Sequence, residues 1–270
     1  MECDLEGRTV AILRPRGQSK QLAELVVNLG GTPVIAPAIE IRISFDNDQV
    51  TGFFDDLSLE VIHYLIFTSV NGVNAIFHIA SELGRTEEFF DGISSKCRVV
   101  AIGSKTYRAL EERGIMVEPL PQEHSSRGLL NLFGDIGVRG RKIVLLRAAS
   151  ANPLLATGLD AMGAHTTSIS IYQTDYNHGR VLGELITKTI RGELDVMIFT
   201  SPSIVDAIIE MAHKANVSNF IPVLNNRVIV ASIGPVTGNT LRGYGVKVDV
   251  ESKKYSVEGL MDGVVGYFTQ

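Results

Sequence analysis

Residues 65–77 read LIFTSVNGVNAIF, and residues 197–209 read MIFTSPSIVDAII. Each begins with a short apolar run, passes through Thr-Ser, and continues with apolar residues at helical spacing. That is a buried strand followed directly by a helix. The two copies lie 197 − 65 = 132 residues apart. Working outward, GRTVAILRP (7–15) is answered by GRKIVLLRA (140–148), an offset of 140 − 7 = 133. VAIGSKTYRALEERGIMVEPLP (100–121) is answered by ASIGPVTGNTLRGYGVKVDVES (231–252), and SSRGLLNLF (125–133) by SVEGLMDGV (256–264), both offset by 131. Four blocks in one order at a nearly constant offset are the mark of an internal duplication.

Each half alternates strand and helix. Val10–Leu13 reads as a buried parallel strand, and Ser19 as the cap of a helix with Leu22, Leu25, Val26 and Leu29 on one face. Leu65–Thr68 and Val99–Ile102 complete the first half, and Ile143–Leu146, Val196–Phe199 and Val228–Ile233 repeat the pattern. The expected fold is α/β: two similar doubly wound parallel-sheet domains. Two long extended stretches, 32–43 and 165–174, interrupt the rhythm. Side by side they would carry the chain between domains and place each half's first strand–helix unit in the other half's domain. Expected bounds are 1–37 plus 175–270 for one domain and 38–174 for the other, with linker strands near 36–42 and 168–174. A boundary at the repeat junction, 137–140, is the simpler alternative.

The chain has 270 residues, 45% of them hydrophobic, so one large or two modest domains are expected and wholesale disorder is excluded. A net charge of −5 disfavours nucleic acid as a partner. No stretch approaches the roughly 18 apolar residues of a membrane span. The opening MECDLEGRTV lacks the basic flank and apolar run of a secretory signal, and Cys3 and Cys97 are the only cysteines, so a cytoplasmic location is expected. Dinucleotide, phosphate-loop and nucleophile-elbow motifs are absent, and the histidines lack zinc-ligand spacing. No cofactor and no metal are expected.

In parallel α/β sheets ligands bind beyond the carboxyl ends of the strands. Those positions hold Arg14-Pro15-Arg16, Thr68-Ser69-Val70-Asn71, Gly103-Ser104-Lys105-Thr106, Arg147-Ala148, Thr200-Ser201-Pro202-Ser203 and Gly234-Pro235-Val236-Thr237. Each opens a helix, where free N–H groups favour anions. Converging on one cleft, they would suit a ligand of many negative charges, with Lys20, Arg108, Lys253 and Lys254 in support. Capping alone explains any single serine, Ser69, Ser104, Ser201 and Ser203 included. The case rests on the repeated pattern.

ILRPR, IFTSVNGV, AIGSKT, IYQT, IFTSPSIV and SIGPVT stand in the order and spacing of the uroporphyrinogen-III synthase family, which the chain resembles from Gly7 to Phe268. The resemblance implies two α/β domains joined by a two-stranded linker. It implies cyclisation of hydroxymethylbilane to uroporphyrinogen III, with loss of water and inversion of ring D, and without cofactor or metal. The substrate is a linear tetrapyrrole with eight carboxylates. By the same resemblance Tyr172 is the catalytic proton donor. Ser69, Asn71, Ser104, Lys105, Thr106, Thr200, Ser201, Ser203, Pro235 and Thr237 bind substrate, and Arg14 and Arg147 are electrostatic supports. A monomer is expected, in transient contact with the preceding pathway enzyme. Two places depart from the family pattern. The loop Arg147-Ala148-Ala149-Ser150-Ala151-Asn152 lacks an expected charge, and the third-unit motifs, T-A in the family, read Thr106-Tyr107 and Thr237-Gly238, where Gly238 at a helix start would allow a ligand to approach closely. The altered loop motivates the competing reading, a non-catalytic tetrapyrrole- or anion-sensing module of the same fold. A two-lobed carrier of small anions is a third.

Overall fold

The computed structural model describes residues 5–269, the side chain of Ser95 excepted. The chain divides into two compact units. One is built from the chain up to Glu40 and from Asp175 onward, the other from Ile41–Thr174. The first crossing falls three residues beyond Pro37, and residues 137–140 lie inside the second unit.

The chain starts in the first unit with β1 (Thr9–Ile12), α1 (Arg16–Asn28) and β2 (Thr32–Ile35), and leaves it along β3 (Ile39–Ile43). The second unit adds α2 (Asn47–Ser58), β4 (Tyr64–Phe67), α3 (Val70–Glu82), α4 (Thr86–Ser95), β5 (Arg98–Ala101) and α5 (Ser104–Glu111). It continues with α6 (Ser126–Ile136), β6 (Lys142–Ala148) and α7 (Leu154–Ala161), and β7 (His165–Tyr176) returns the chain. The first unit is completed by α8 (Arg180–Arg191), β8 (Val196–Phe199), α9 (Pro202–Lys214), α10 (Phe220–Arg227), β9 (Ile229–Ser232), α11 (Pro235–Gly243), β10 (Val250–Glu251) and α12 (Val257–Phe268).

The first unit's sheet has the order β10-β9-β8-β1-β2, and its strands pair in parallel. The N-terminal strand β1 thus lies beside β8 of the other half, with Val10 opposite Val196. These strands are apolar throughout because both faces are covered. Val10, Ile12, Val196 and Ile198 turn toward α1 and α12, while Ala11, Leu13, Met197 and Phe199 turn toward α8 and α9. Alternation of side chains along a strand is what splits one run between two cores.

The second sheet has the order β3-β7-β6-β4-β5, with β7, β6, β4 and β5 parallel. Leu65 and Phe67 of β4 face a core shared with α2 and α3, and Tyr64 and Ile66 face one shared with α6 and α7. Along β3 and β7, Asn177 N–H donates to the Ala38 carbonyl and Ser44 N–H to that of Ile171. One index rises as the other falls, so this pair is antiparallel.

Several local expectations are corrected. Residues 32–43 form two strands, because the chain leaves the edge of β1 after Ala36 and Ala38 donate to the Ile12 and Leu13 carbonyls at 2.9 Å each. Pro37 between them has no N–H to give. Residues 165–176 do form one strand, offset by a bulge opposite Arg147 and Ala148. Ser19 is not a cap: α1 begins at Arg16 after Pro15, and the Ser19 hydroxyl donates back to the Arg14 and Pro15 carbonyls. Strand β4 begins and ends one residue earlier than read, at Tyr64 and Phe67.

Candidate functional site

Because the strands that precede these helices run parallel, their carboxyl ends lie along one edge of each sheet, and the sequence-predicted residues divide between the two edges. The second unit holds Ser69, Asn71, Ser104, Lys105, Thr106, Arg147 and Tyr172, while the first holds Arg14, Thr200, Ser201, Ser203, Pro235 and Thr237.

In the second unit, Ser69 follows β4 in extended backbone, and its Oγ accepts the Gly72 N–H at 3.0 Å, capping α3. Tyr172 lies near the end of β7, two strands away, and its hydroxyl stands 2.7 Å from Ser69 Oγ. The phenol is 6% exposed. Gly72 makes room for this meeting. A Cβ there would lie 3.1 Å from the Leu146 carbonyl oxygen, 3.5 Å from Ser69 Oγ and 3.8 Å from Tyr172 Cε1.

Arg147, at the end of β6 between the two strands, is also buried, and its guanidinium donates to the Asn152 carbonyl. The Asn152 side chain accepts the Leu154 N–H at 2.8 Å. The loop that departs from the family pattern is therefore closed down on Arg147. Burial pushes the Tyr172 phenol above its ordinary value, and the Ser69 hydrogen bond and the Arg147 charge pull it back. Burial likewise lowers Arg147, against the pull of Tyr172. An undissociated phenol beside a guanidinium is a proton donor whose conjugate base would be partly stabilised.

At the end of β5, Gly103 stands at the cap position of α5, not Ser104. Ser104 and Lys105 are exposed and Thr106 is buried. Asn71 is half-buried in the first turn of α3.

In the first unit, Arg14 is half-buried after β1 and donates to Gln18 Oε1 at 3.2 Å. Burial lowers it and the nearby Glu258 carboxylate raises it. Thr200 and Ser201 follow β8, and Ser203 lies in the first turn of α9. Ser201 sits at the cap position, but its buried Oγ has no hydrogen-bond partner among the described residues. Pro235 opens α11 and is exposed, and Thr237 is buried one turn in.

Of the supporting cations, Lys254 pairs with Asp262 at 3.1 Å and Lys20 weakly with Glu24 at 3.9 Å. The space beside Gly238 belongs to Glu251, whose Oε2 would lie 2.2 Å from an added Cβ and which pairs with Arg242. That glycine accommodates a side chain of the protein itself. Sequence reading missed Gly72 and Glu258, and took Asn152 only as part of the departing loop. Only Gly72 left a signal, because the repeat places Gly72 opposite Ile204. Among the described residues no cluster of histidine, cysteine or acidic side chains could hold a metal ion, and no helix is long and apolar enough to cross a membrane.

The model of the family uroporphyrinogen-III synthase HemD matches residues 20–262. A protein of Methanothermobacter thermautotrophicus, provisionally named a uroporphyrinogen-III synthase, is 30% identical over 255 residues, 93% of this chain and 95% of that one. The uroporphyrinogen-III synthase of Chlorobaculum parvum is 25% identical over 90% of this chain and 92% of its own. A uroporphyrinogen III synthase structure from Thermus thermophilus superposes with a TM-score of 0.67 at 22% identity, covering 97% of this chain and 99% of that one. One from Helicobacter pylori gives 0.60 at 16%, covering 96% and 99%. The chain, matched by the family model over residues 20–262, belongs to the uroporphyrinogen-III synthase family.

Proposed function

We propose that this chain cyclises hydroxymethylbilane to uroporphyrinogen III with inversion of ring D, a dehydrating, hydro-lyase reaction of tetrapyrrole biosynthesis. The observation that carries the reading is the buried Tyr172 hydroxyl held by Ser69 on a strand edge crowded with donors.

The substrate's eight carboxylates demand many N–H, hydroxyl and cationic partners. The helix starts at Ser69, Ser104, Ser201 and Pro235 present such donors, and Lys105 and Arg14 add charge. Once the substrate is folded, the leaving hydroxyl departs as water on receiving the Tyr172 proton, and the pyrrole nitrogen electrons push it out. The resulting azafulvene closes at the substituted ring-D carbon, and the spiro intermediate rearranges. The proton then lost from carbon restores the phenol. The intermediate is reactive by itself, so positioning is the larger part of catalysis.

The test is to generate hydroxymethylbilane in situ with and without the protein, oxidise, and separate the porphyrin isomers. A shift from isomer I, the product of unaided closure, to isomer III is expected. Isomer I alone from folded protein overturns the reading in favour of a non-catalytic binding module.

A further inference from the structure

The duplication supplies an internal control for the Ser69–Tyr172 contact. Thr68-Ser69-Val70-Asn71-Gly72 opens α3, and Thr200-Ser201-Pro202-Ser203-Ile204 opens α9. Ser69 and Ser201 share one backbone conformation, φ −161° with ψ 155° and 157°. Their hydroxyls differ. Ser69 Oγ takes the Gly72 N–H and meets Tyr172, whereas Ser201 Oγ is buried without a partner among the described residues. In place of Gly72, α9 has Ile204, committed to the apolar core. Ser256 shows what capping alone requires: its Oγ accepts the Gly259 N–H at 3.1 Å, the same i to i+3 bond. Capping does not call for the second contact; the glycine at the same position of the Ser256 cap, Gly259, makes room for Lys254, whereas Gly72 lets the Tyr172 ring and the Leu146 carbonyl approach the start of the helix.

We infer that Ser69 is a positioning residue for Tyr172, with Gly72 shaping the contact, and that of the two duplicated Thr-Ser helix starts the one at Ser69 serves the proton transfer. The inference rests on the ring-closure reading. The Gly72 N–H takes one lone pair of Ser69 Oγ, and either hydroxyl can donate across the 2.7 Å contact; in the arrangement inferred for catalysis the serine donates to the Tyr172 oxygen. The phenolic proton is thereby left free for the leaving hydroxyl. When it transfers, the C–O bond breaks, water leaves, and the phenolate keeps the Ser69 O–H and the nearby Arg147 charge. The proton released after ring closure returns to it, and no other reactant is needed.

The test compares Ser69→Gly, Ser69→Thr, Tyr172→Phe and the double variant Ser69→Gly/Tyr172→Phe. Glycine is a tolerated helix cap, so Ser69→Gly removes the hydroxyl with little cost to folding. In protein carrying carbon-13 tyrosine, the Cζ signal that vanishes in Tyr172→Phe is that of Tyr172. It is expected to move in Ser69→Gly at neutral pH, to return in Ser69→Thr, and to titrate at higher pH without the serine. Turnover by Ser69→Gly is expected to fall about tenfold with KM little changed, and the double variant to be no slower than Tyr172→Phe. An unmoved Tyr172 signal, or turnover losses that multiply in the double variant, overturns the inference. If Ser69→Gly does not fold, Gly72→Ala, which keeps both hydroxyls, is read instead: an unmoved Tyr172 signal with full turnover overturns it. Should the wild type yield isomer I alone, the ring-closure reading fails, while the tyrosine signal still decides whether Ser69 holds Tyr172.

Discussion

The Asp195 carboxylate accepts the Thr9 N–H at 2.7 Å, joining the start of the first strand to a residue 186 positions later. Asp195 also donates its backbone N–H to the Thr9 carbonyl and accepts that of Ile229. One residue thus aligns the entries of β1, β8 and β9, the strands whose opposite ends carry Arg14, Ser201 and Pro235. The first unit cannot close its sheet until the chain's two ends have met, and contacts of such sequence separation slow folding.

Asp195→Ala is therefore expected to lower stability by about 1 kcal/mol, the ordinary net worth of one hydrogen bond, and Asp195→Asn by less because an acceptor remains. Urea unfolding checks this. Equal midpoints for wild type and Asp195→Ala would make the bond incidental.

Tyr172→Phe is expected to reduce turnover about a hundredfold, the low end for loss of a general acid, while binding of uroporphyrinogen III is nearly unchanged. Single-turnover kinetics and product titration separate the two. Parallel losses would make Tyr172 a packing or binding residue.

Cys97, just before β5, is buried, and burial pushes its thiol from 9.0 up to about 12. A thiol whose folded value is raised leaves stability intact below the unfolded value. Stability is then lost as pH climbs between the two, because the unfolded chain sheds the proton first. Unfolding free energy is expected to fall from pH 9 toward 12, and Cys97→Ala to flatten that slope by up to about 1.4 kcal/mol per pH unit. Superimposable pH profiles would show that the thiol is not protected.

Gly128 and Gly259 occupy equivalent third positions of α6 and α12, receiving caps from Ser125 and Ser256. A Cβ at Gly128 would stand 1.9 Å from the Glu123 carbonyl oxygen, and one at Gly259 would stand 2.6 Å from the Lys254 Cβ. Both alanine variants are expected to melt lower. Gly128→Ala, which must displace backbone, is expected to lose about 3 kcal/mol or more, within the range for overpacking. A smaller loss at Gly128 than at Gly259 would contradict the geometry.

Much of the fold is legible without coordinates. Runs such as Leu65–Phe67 and Met197–Phe199 are apolar at every position, and only strands buried on both faces tolerate that. The duplication shows that whatever surrounds one copy surrounds the other, and the motifs at the strand ends identify the family. What was missed is short or polar. Helix α2, with the sequence NDQVTGFFDDLS, hides Phe53 and Phe54 among acids, and β10 has two residues. Residues 32–43 read as one strand because β-propensity does not register a switch from one sheet to another.

Sequence by itself determined the strand–helix units, the repeat, the family, and which residues stand at the carboxyl ends of strands, because these follow from local periodicity and position. Tertiary structure alone decided which of those residues meet. Tyr172 reaches Ser69 because β6 places β7 and β4 on either side of it and because Gly72 has no side chain. Arg147 turns to Asn152, Glu251 fills the space at Gly238, and the Ser201 hydroxyl finds no partner among the described residues where its twin is bonded. Such contacts depend on sheet order and on atoms missing from a neighbour, and neither is written in the spacing of residues along the chain.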